Sequence, residues 1–596
     1  MAAVRPRDEV PEEYTWDLES IYASDEEWET GFEEAEATIA ELTAYEGQTT
    51  TNASTLLAVL ETYEDLMRQV STVHAYARMR RDENTAADRY QGYTTRAEGL
   101  FSQAQSAASF IDPEIQATSW GAIEELLAED EDLAIYEHYL EDIHRLKDHT
   151  RSAEIESILA DLGEVLSTGQ DVYTMLTNAD MTFPTVEDPD GEPVEITLAN
   201  FVELQKERDR GFRQHVYESF YDQWGEVRNA VGTAYRNSVK ADVKLARIRG
   251  YDTAREAALD GPNIPTEVYD TLVETVWDNL ELVHRHADLK RRALGVDELA
   301  MWDLYMPITR SESPTVSYET ATDHVVAAVA PLGEEYQSQV ADGIESRWID
   351  VYETPNKRSG AYSGGTYDTQ PFILMNYQET VSSMYTLAHE LGHSLHSELT
   401  SEAQPYVYSH YEIFVAEVAS MVNESLLTAH LLDTVEDERF QRHVLNEYLE
   451  RFRSTLYRQA MFADFEHRAH RRVEEGKAIT ANALDELYHE LKADLYEPAA
   501  VDDRISREWM RIPHFYRAFY VYQYCTGLAA SVALASDILE EGEPAVDRYR
   551  TFLRSGSRQY PLELLEDAGV DMRSPAPIES ALEVYDEYLD RMESLL

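Results

Sequence analysis

Residues 382–399 read SSMYTLAHELGHSLHSEL, and His389, Glu390 and His393 within them carry the groups best suited to chemistry. Met384, Leu387, Leu391 and Leu395 recur at helical spacing, so this segment is expected to be a helix on which residues four apart stack one turn above each other. Two imidazoles so placed can share one metal ion at about 2.0–2.1 Å from each nitrogen, while Glu390 points to the side where an attacking water would lie. The pattern predicts a zincin-like arrangement in which His389 and His393 bind zinc and Glu390 is the general base. Gly392 lies inside the helix, where glycine costs about 1 kcal/mol relative to alanine, and so marks close packing or function better than it fits a solvated surface helix.

A catalytic zinc site needs a third protein ligand and an open fourth position. The extended motif that would supply a third histidine downstream is excluded, because His396 and Leu399 occupy the positions where it requires glycine and histidine. A carboxylate from another helix is the remaining route. The run YEIFVAEVASMVNESLLTAHLL, residues 411–432, offers Glu412, Glu417 and Glu424 among Ile413, Phe414, Val415, Val418, Met421 and Val422, surroundings in which unpaired carboxylates are not tolerated. Glu417 and Glu424 are seven apart and share a face, so one can bind metal while the other hydrogen-bonds a ligating histidine; spacing alone does not say which. His396 and His410 fit helix-surface or supporting positions better than ligand positions.

Two further stretches are candidates. Between Pro513 and Tyr524, a helical course would line Tyr516, Tyr520 and Tyr524 along one face and put Tyr522 on another; a tyrosine hydroxyl or the His514 imidazole could then donate to the oxyanion of a scissile carbonyl. An aromatic stripe of this kind can equally be core. Before the motif, RSGAYSGGTYDTQPFILMNY (residues 358–377) interrupts a β-prone run with Gly360, Gly364 and Gly365. It reads as an edge strand able to pair with a peptide backbone, with a plain hairpin turn as the alternative.

The elements that must position these groups are mostly helical. Leu56, Leu57, Leu60, Tyr63 and Leu66 to Met67 follow the helical period, and Ile155, Leu159, Leu162 and Leu166 repeat it. A second β signal spans Met181–Leu198, where DPDGEP turns the chain between short β-prone runs. The expected division is a helical N-terminal part over 1–115, a helical segment with a β-hairpin over 116–200, and a catalytic part over 201–596. Ser313-Pro314, Glu497-Pro498 and Ser574 to Pro577 read as loops inside the last part.

Composition bounds the setting. The 596 residues carry 114 acids against 50 bases, only 8 of them lysine, for a formal charge of -64. Such self-repulsion is screened where the Debye length falls to about 3 Å near 1 M salt, which suits a halophile's interior and disfavours nucleic acid or anionic membranes as partners. The first 30 residues contain no signal-like apolar core and no 18 apolar residues run together, so a cytoplasmic protein is expected. Cys525, the single cysteine, excludes an internal disulfide and reads as a buried spectator thiol.

HELGHSLHSEL followed by FVAEVASMVNE resembles the thimet oligopeptidase family of zinc metallopeptidases. RSGAYSGGTYDTQPFILMNYQ and IPHFYRAFYVYQYCTG resemble its oligoendopeptidase F branch, as do the opening YTWDLESIYASDEEW and TFPTVEDPDGEPVEIT, so the likeness spans nearly the whole chain. The resemblance implies a mainly α, two-lobed fold with a deep substrate channel and small β elements near the motif helix. It implies one Zn2+ per chain held by His389, His393 and Glu417, with Glu390 as base and a set drawn from His514, Tyr520 and Tyr524 at the oxyanion. The expected activity is endopeptidase cleavage of short to medium oligopeptides. An exopeptidase or dipeptidyl carboxypeptidase on the same scaffold and a non-catalytic helical binding scaffold are the alternatives; bond preference and oligomeric state are left open.

Overall fold

The computed structural model describes residues 5–309 and 313–596. It is built mainly of helices, with seven short strands among the described residues. Two compact units emerge, each assembled from separated stretches of chain: residues 1–147, 314–434 and 534–570 form the first, and 148–313, 435–533 and 571–596 the second. This partition of space cuts across the chain segments 1–115, 116–200 and 201–596 and is made on a different basis from theirs.

In the first unit, helices Asp25–Thr43, Ala53–Glu83 and Asp88–Ala108 pack together. The Ser24 and Asn52 side chains cap two of them by accepting the N–H groups of Glu27 and Thr55, satisfying donors a helix start leaves open. Leu56, Leu60 and Leu66 are buried, and Leu57, Tyr63 and Met67 pack against the same core. That core also takes in Trp16, Trp28, Phe372 and Leu374, so the N-terminal helices support a three-stranded sheet. The central strand of that sheet, Phe372–Leu374, pairs parallel with Ile349–Asp350 and antiparallel with Tyr362–Gly364, which makes Tyr362–Gly364 an edge. Asp82, near the end of an N-terminal helix and fully buried, accepts from the Tyr362 hydroxyl at 3.0 Å and from Arg358 at 3.2 Å. A buried carboxylate with these donors anchors the start of the edge strand.

In the second unit the 40-residue helix Arg210–Arg249 is capped by Asp209 and ends at Gly250 with φ 88°. The Met181–Leu198 segment forms a hairpin, Thr185–Glu187 against Pro193–Glu195. Around Ile155 the chain is helical but broken into the short helices Ala153–Asp161, Gly163–Leu166 and Thr168–Met175. Ile155 and Leu162 there are exposed, so the periodicity marks a helix without a buried face. A parallel pair, Leu299–Ala300 with Ala499–Ala500, has no counterpart in the sequence reading. Cys525 is buried, its thiol donating to the Leu456 carbonyl at 3.3 Å.

The two helices that matter most for chemistry lie in the first unit. Val381–Ala403 carries the HELGH motif and Ile413–Thr434 carries the downstream acids. They cross at Gly392, where an added Cβ would stand 2.5 Å from the Ser420 Cα and 2.7 Å from the Ala419 carbonyl oxygen. The Asn423 side-chain amide donates to the Ala388 carbonyl at 3.3 Å, and the Tyr385 and Thr428 hydroxyls lie 2.7 Å apart. Gly392→Ala is therefore expected to destabilise the protein by about 1–3 kcal/mol, the usual penalty of overpacking. Denaturant unfolding at constant salt checks this, and an unchanged midpoint would show that the crossing is not tight.

Candidate active site

Thr380 starts the motif helix by accepting the Ser383 N–H at 3.1 Å, and its apolar face, including Leu387, Leu391 and Leu395, is buried. Opposite that face His389 and His393 present their Nε2 atoms 3.1 Å apart. Glu417 Oε2, from the second helix, lies 3.4 Å from the first and 3.6 Å from the second. These three make up a His/Cys/Asp/Glu group with ligand atoms close enough to hold one metal ion. Two ligands about 2.0–2.1 Å from one ion at the tetrahedral angle sit roughly 3.3 Å apart, so the spacing fits a small tetrahedral ion. The donor set of two imidazoles and one carboxylate fits zinc.

Each imidazole is also held from behind. Glu424 Oε1 lies 2.6 Å from His389 Nδ1, and the His393 ring is hydrogen-bonded to the Ala416 backbone. Such partners orient a ring and select the tautomer whose other nitrogen is free to bind. Burial, with the neighbouring His389, holds His393 below the ordinary histidine range, which favours the neutral form a ligand needs. Ser420 Oγ donates to Glu417 Oε2 at 3.2 Å and to the Glu417 carbonyl at 2.8 Å, steadying that carboxylate.

Glu390 is 7% exposed. Burial raises its carboxyl above the usual range, with the Glu417 charge adding to the effect and His389 opposing it. It accepts a hydrogen bond from the Ser363 backbone, and Ser363 is the central residue of the edge strand. The Ser363 and Ser394 hydroxyls lie 2.9 Å apart, so strand and motif helix are tied on both sides of the acid. Gly365, at φ 133°, turns the chain after the strand in a conformation that side chains resist. Strand, motif helix and the loop through His410 and Tyr411 enclose a cavity of about 530 Å³ lined by His389, Glu390, His393 and Glu417.

His396 is not at the surface: it is 1% exposed and stacks on Tyr411 at 3.8 Å. His410 lines the cavity mouth and Glu412 is exposed. The Pro513–Tyr524 run belongs to the second unit and is not one helix. Pro513–Tyr516 is a 3-10 turn, Phe519 has φ 55°, and the α-helix begins at Tyr522. The break separates Tyr516, which stacks on Tyr173 at 4.6 Å, from Tyr520 and Tyr524, whose hydroxyls are 3.3 Å apart. The His514 ring lies parallel to Tyr520 at 6.0 Å and perpendicular to Tyr524 at 6.1 Å. Tyr522 is buried against Tyr269.

The roles of Ser363, Ser394 and Ala416 were not anticipated from sequence. Ser394 had a signal, being one turn beyond Glu390; Ala416 acts through its backbone, and Ser363 through both its backbone and a hydroxyl whose partner is distant in sequence, so neither had one.

A model of peptidase family M3 matches residues 203–584, and one described as oligopeptidase F matches residues 114–183. The chain is 43% identical over 591 residues to the oligopeptidase PepF of Bacillus subtilis, covering 99% of this chain and 88% of that one. It is similar to a crystal structure from Chlamydophila abortus with TM-score 0.92 and 31% identity, covering 100% of both chains. It is also similar to the oligoendopeptidase-F structure of Enterococcus faecium, with TM-score 0.75 and 34% identity, covering 96% of this chain and 99% of that one.

Glu424→Gln is expected to weaken metal-ion binding at this group about 10–100-fold, the usual effect of removing a carboxylate behind a histidine that holds a metal. Competition with a chromogenic chelator measures it, and wild-type affinity would show that the contact to His389 carries no weight.

Proposed function

Because the chain belongs to peptidase family M3 and is a metallo-endopeptidase of the oligoendopeptidase F type, we propose that it cleaves oligopeptides at a zinc site made by His389, His393 and Glu417, with Glu390 as general base. The observation carrying this reading is the convergence of the two Nε2 atoms and the Glu417 carboxylate beside the buried Glu390. When bound there, zinc supplies Lewis acidity to the scissile carbonyl and acidifies the attacking water.

The residues around it divide the remaining work. Glu424 and the Ala416 backbone keep the imidazoles aimed, so that ligand geometry costs no reorganisation at the moment of reaction. Glu390 takes the proton of the attacking water and later delivers it to the departing amine. Its burial suits both tasks, since a carboxyl shifted upward is a stronger base than an ordinary one and a usable acid afterwards. The edge strand Tyr362–Gly364 offers backbone groups to an extended peptide, which orients the scissile bond without reading its side chains. His514, Tyr520 and Tyr524 are the proposed hydrogen-bond donors to the oxyanion. The strongly acidic composition supports a role in a concentrated-salt cytoplasm; among the described residues no helix is long and apolar enough to cross a membrane.

Glu390→Gln is expected to retain the fold and one zinc per chain while lowering kcat by at least about 100-fold, as loss of a general base does. An internally quenched peptide blocked at both termini is the substrate that reads endopeptidase turnover. Wild-type turnover in this variant would remove Glu390 from the mechanism.

A further inference from the structure

One member of the tyrosine pair of the second unit, Tyr520, stands on a connector held in a conformation its own sequence disfavours, while Tyr524 lies in the first turn of the following helix. Phe519 has φ 55°, the left-handed region, where a bulky side chain is an outlier that persists only when its surroundings over-determine it. Those surroundings are identifiable. The Phe519 ring is 2% exposed and packs on His470 at 4.7 Å and Tyr269 at 5.9 Å. Its backbone N–H donates to Glu466 Oε1 at 2.9 Å.

Glu466 lies in the helix Arg458–Glu474 and is fully buried. Among the described residues its second oxygen, Oε2, has no hydrogen-bond partner, and burial pushes the carboxyl up to about 8. A buried carboxyl is costly, and this one accepts a hydrogen bond from a backbone N–H in the connector. One turn on, His470 bonds the Glu466 carbonyl through Nδ1 at 2.9 Å and Asp242 through Nε2 at 3.1 Å. That fixes the ring on which Phe519 rests. Phe519 immediately precedes Tyr520, so relaxation of its φ to the ordinary negative range would swing the Tyr520 side chain away from Tyr524.

We propose that Glu466 is a positioning residue for peptide hydrolysis: by holding the Phe519 N–H it fixes the left-handed turn that sets Tyr520 beside Tyr524 and His514. The proposal rests on the reading of these groups as oxyanion donors. It assigns a task in the reaction to a residue that lies outside the HELGH motif and touches no reacting atom.

The test compares full-length Glu466→Met and Glu466→Gln with the pair variant Tyr520→Phe/Tyr524→Phe and with that pair combined with Glu466→Met. Turnover of a blocked quenched peptide is read at constant salt, with zinc content and unfolding midpoint measured for each protein; Glu466→Leu substitutes if the methionine variant does not fold. Glu466→Met should lower kcat about 10–100-fold, a part of what a lost oxyanion donor costs, with KM within about twofold. Glu466→Gln keeps an oxygen that accepts the N–H and should stay within about threefold of wild type by the same comparison. Adding Glu466→Met to the tyrosine pair should cost nothing more. Wild-type kcat in Glu466→Met, equal losses in the methionine and glutamine variants, or a further fall in the combined variant would each overturn the inference. Wild-type turnover in the tyrosine pair variant would overturn the oxyanion reading and this inference with it, whereas loss there without loss in Glu466→Met would overturn this inference alone.

Discussion

How closely two helices can cross decides whether this site exists. At Gly392 the backbone of the Ile413–Thr434 helix comes so near the motif helix that a methyl group would meet Ser420 and Ala419 backbone atoms. That approach puts Glu417 beside both imidazoles and Glu424, two turns on along the same face, behind the ring of His389. Glu417 reaches the nitrogens that point outward into the cavity, and Glu424 reaches the inward nitrogen of His389. Glu424 is 1% exposed, and a carboxylate at such depth is tolerated because a strong hydrogen bond to the ring offsets part of its desolvation.

The sheet extends the same logic to Glu390 and to the proposed substrate strand. An edge strand is ordinarily a hazard, since its unpaired backbone groups can pair with another chain. Here the edge is short and is fixed at its first and central residues, by Asp82 at Tyr362 and by Ser394 at Ser363. It donates a backbone hydrogen bond to Glu390, so the strand proposed to take a peptide also holds the carboxyl proposed to act on it. Packing of Phe372 and Leu374 into the N-terminal helical core makes this support part of the fold of the first unit and not a free loop.

Much of this was legible in the residues. Helical spacing around HELGH, the seven-residue interval between two acids in an apolar helix and the interior glycine all point to a tight helix pair with chemistry on it. The glycine-bearing run before the motif pointed to a strand, and the DPDGEP turn to a hairpin. What the residues hid is long-range. The stretch from Phe515 to Tyr524 contains neither glycine nor proline to signal a break, yet it is interrupted at Phe519, whose N–H donates to Glu466, 53 positions earlier. Spacing allows His396 either a helix-surface or a supporting position, and Tyr411 and Phe552 cover it. The Ile155 to Leu166 periodicity specifies helix correctly but cannot say what, if anything, covers the apolar face.

The most direct measurement is diffraction from the salt-purified protein at wavelengths on either side of the zinc absorption edge, paired with metal content. The account predicts one ion per chain, with an anomalous peak about 2.0–2.2 Å from Nε2 of His389, Nε2 of His393 and a Glu417 carboxylate oxygen. A protein active on peptides that holds no ion between these three side chains, or that binds its ion elsewhere, would contradict it.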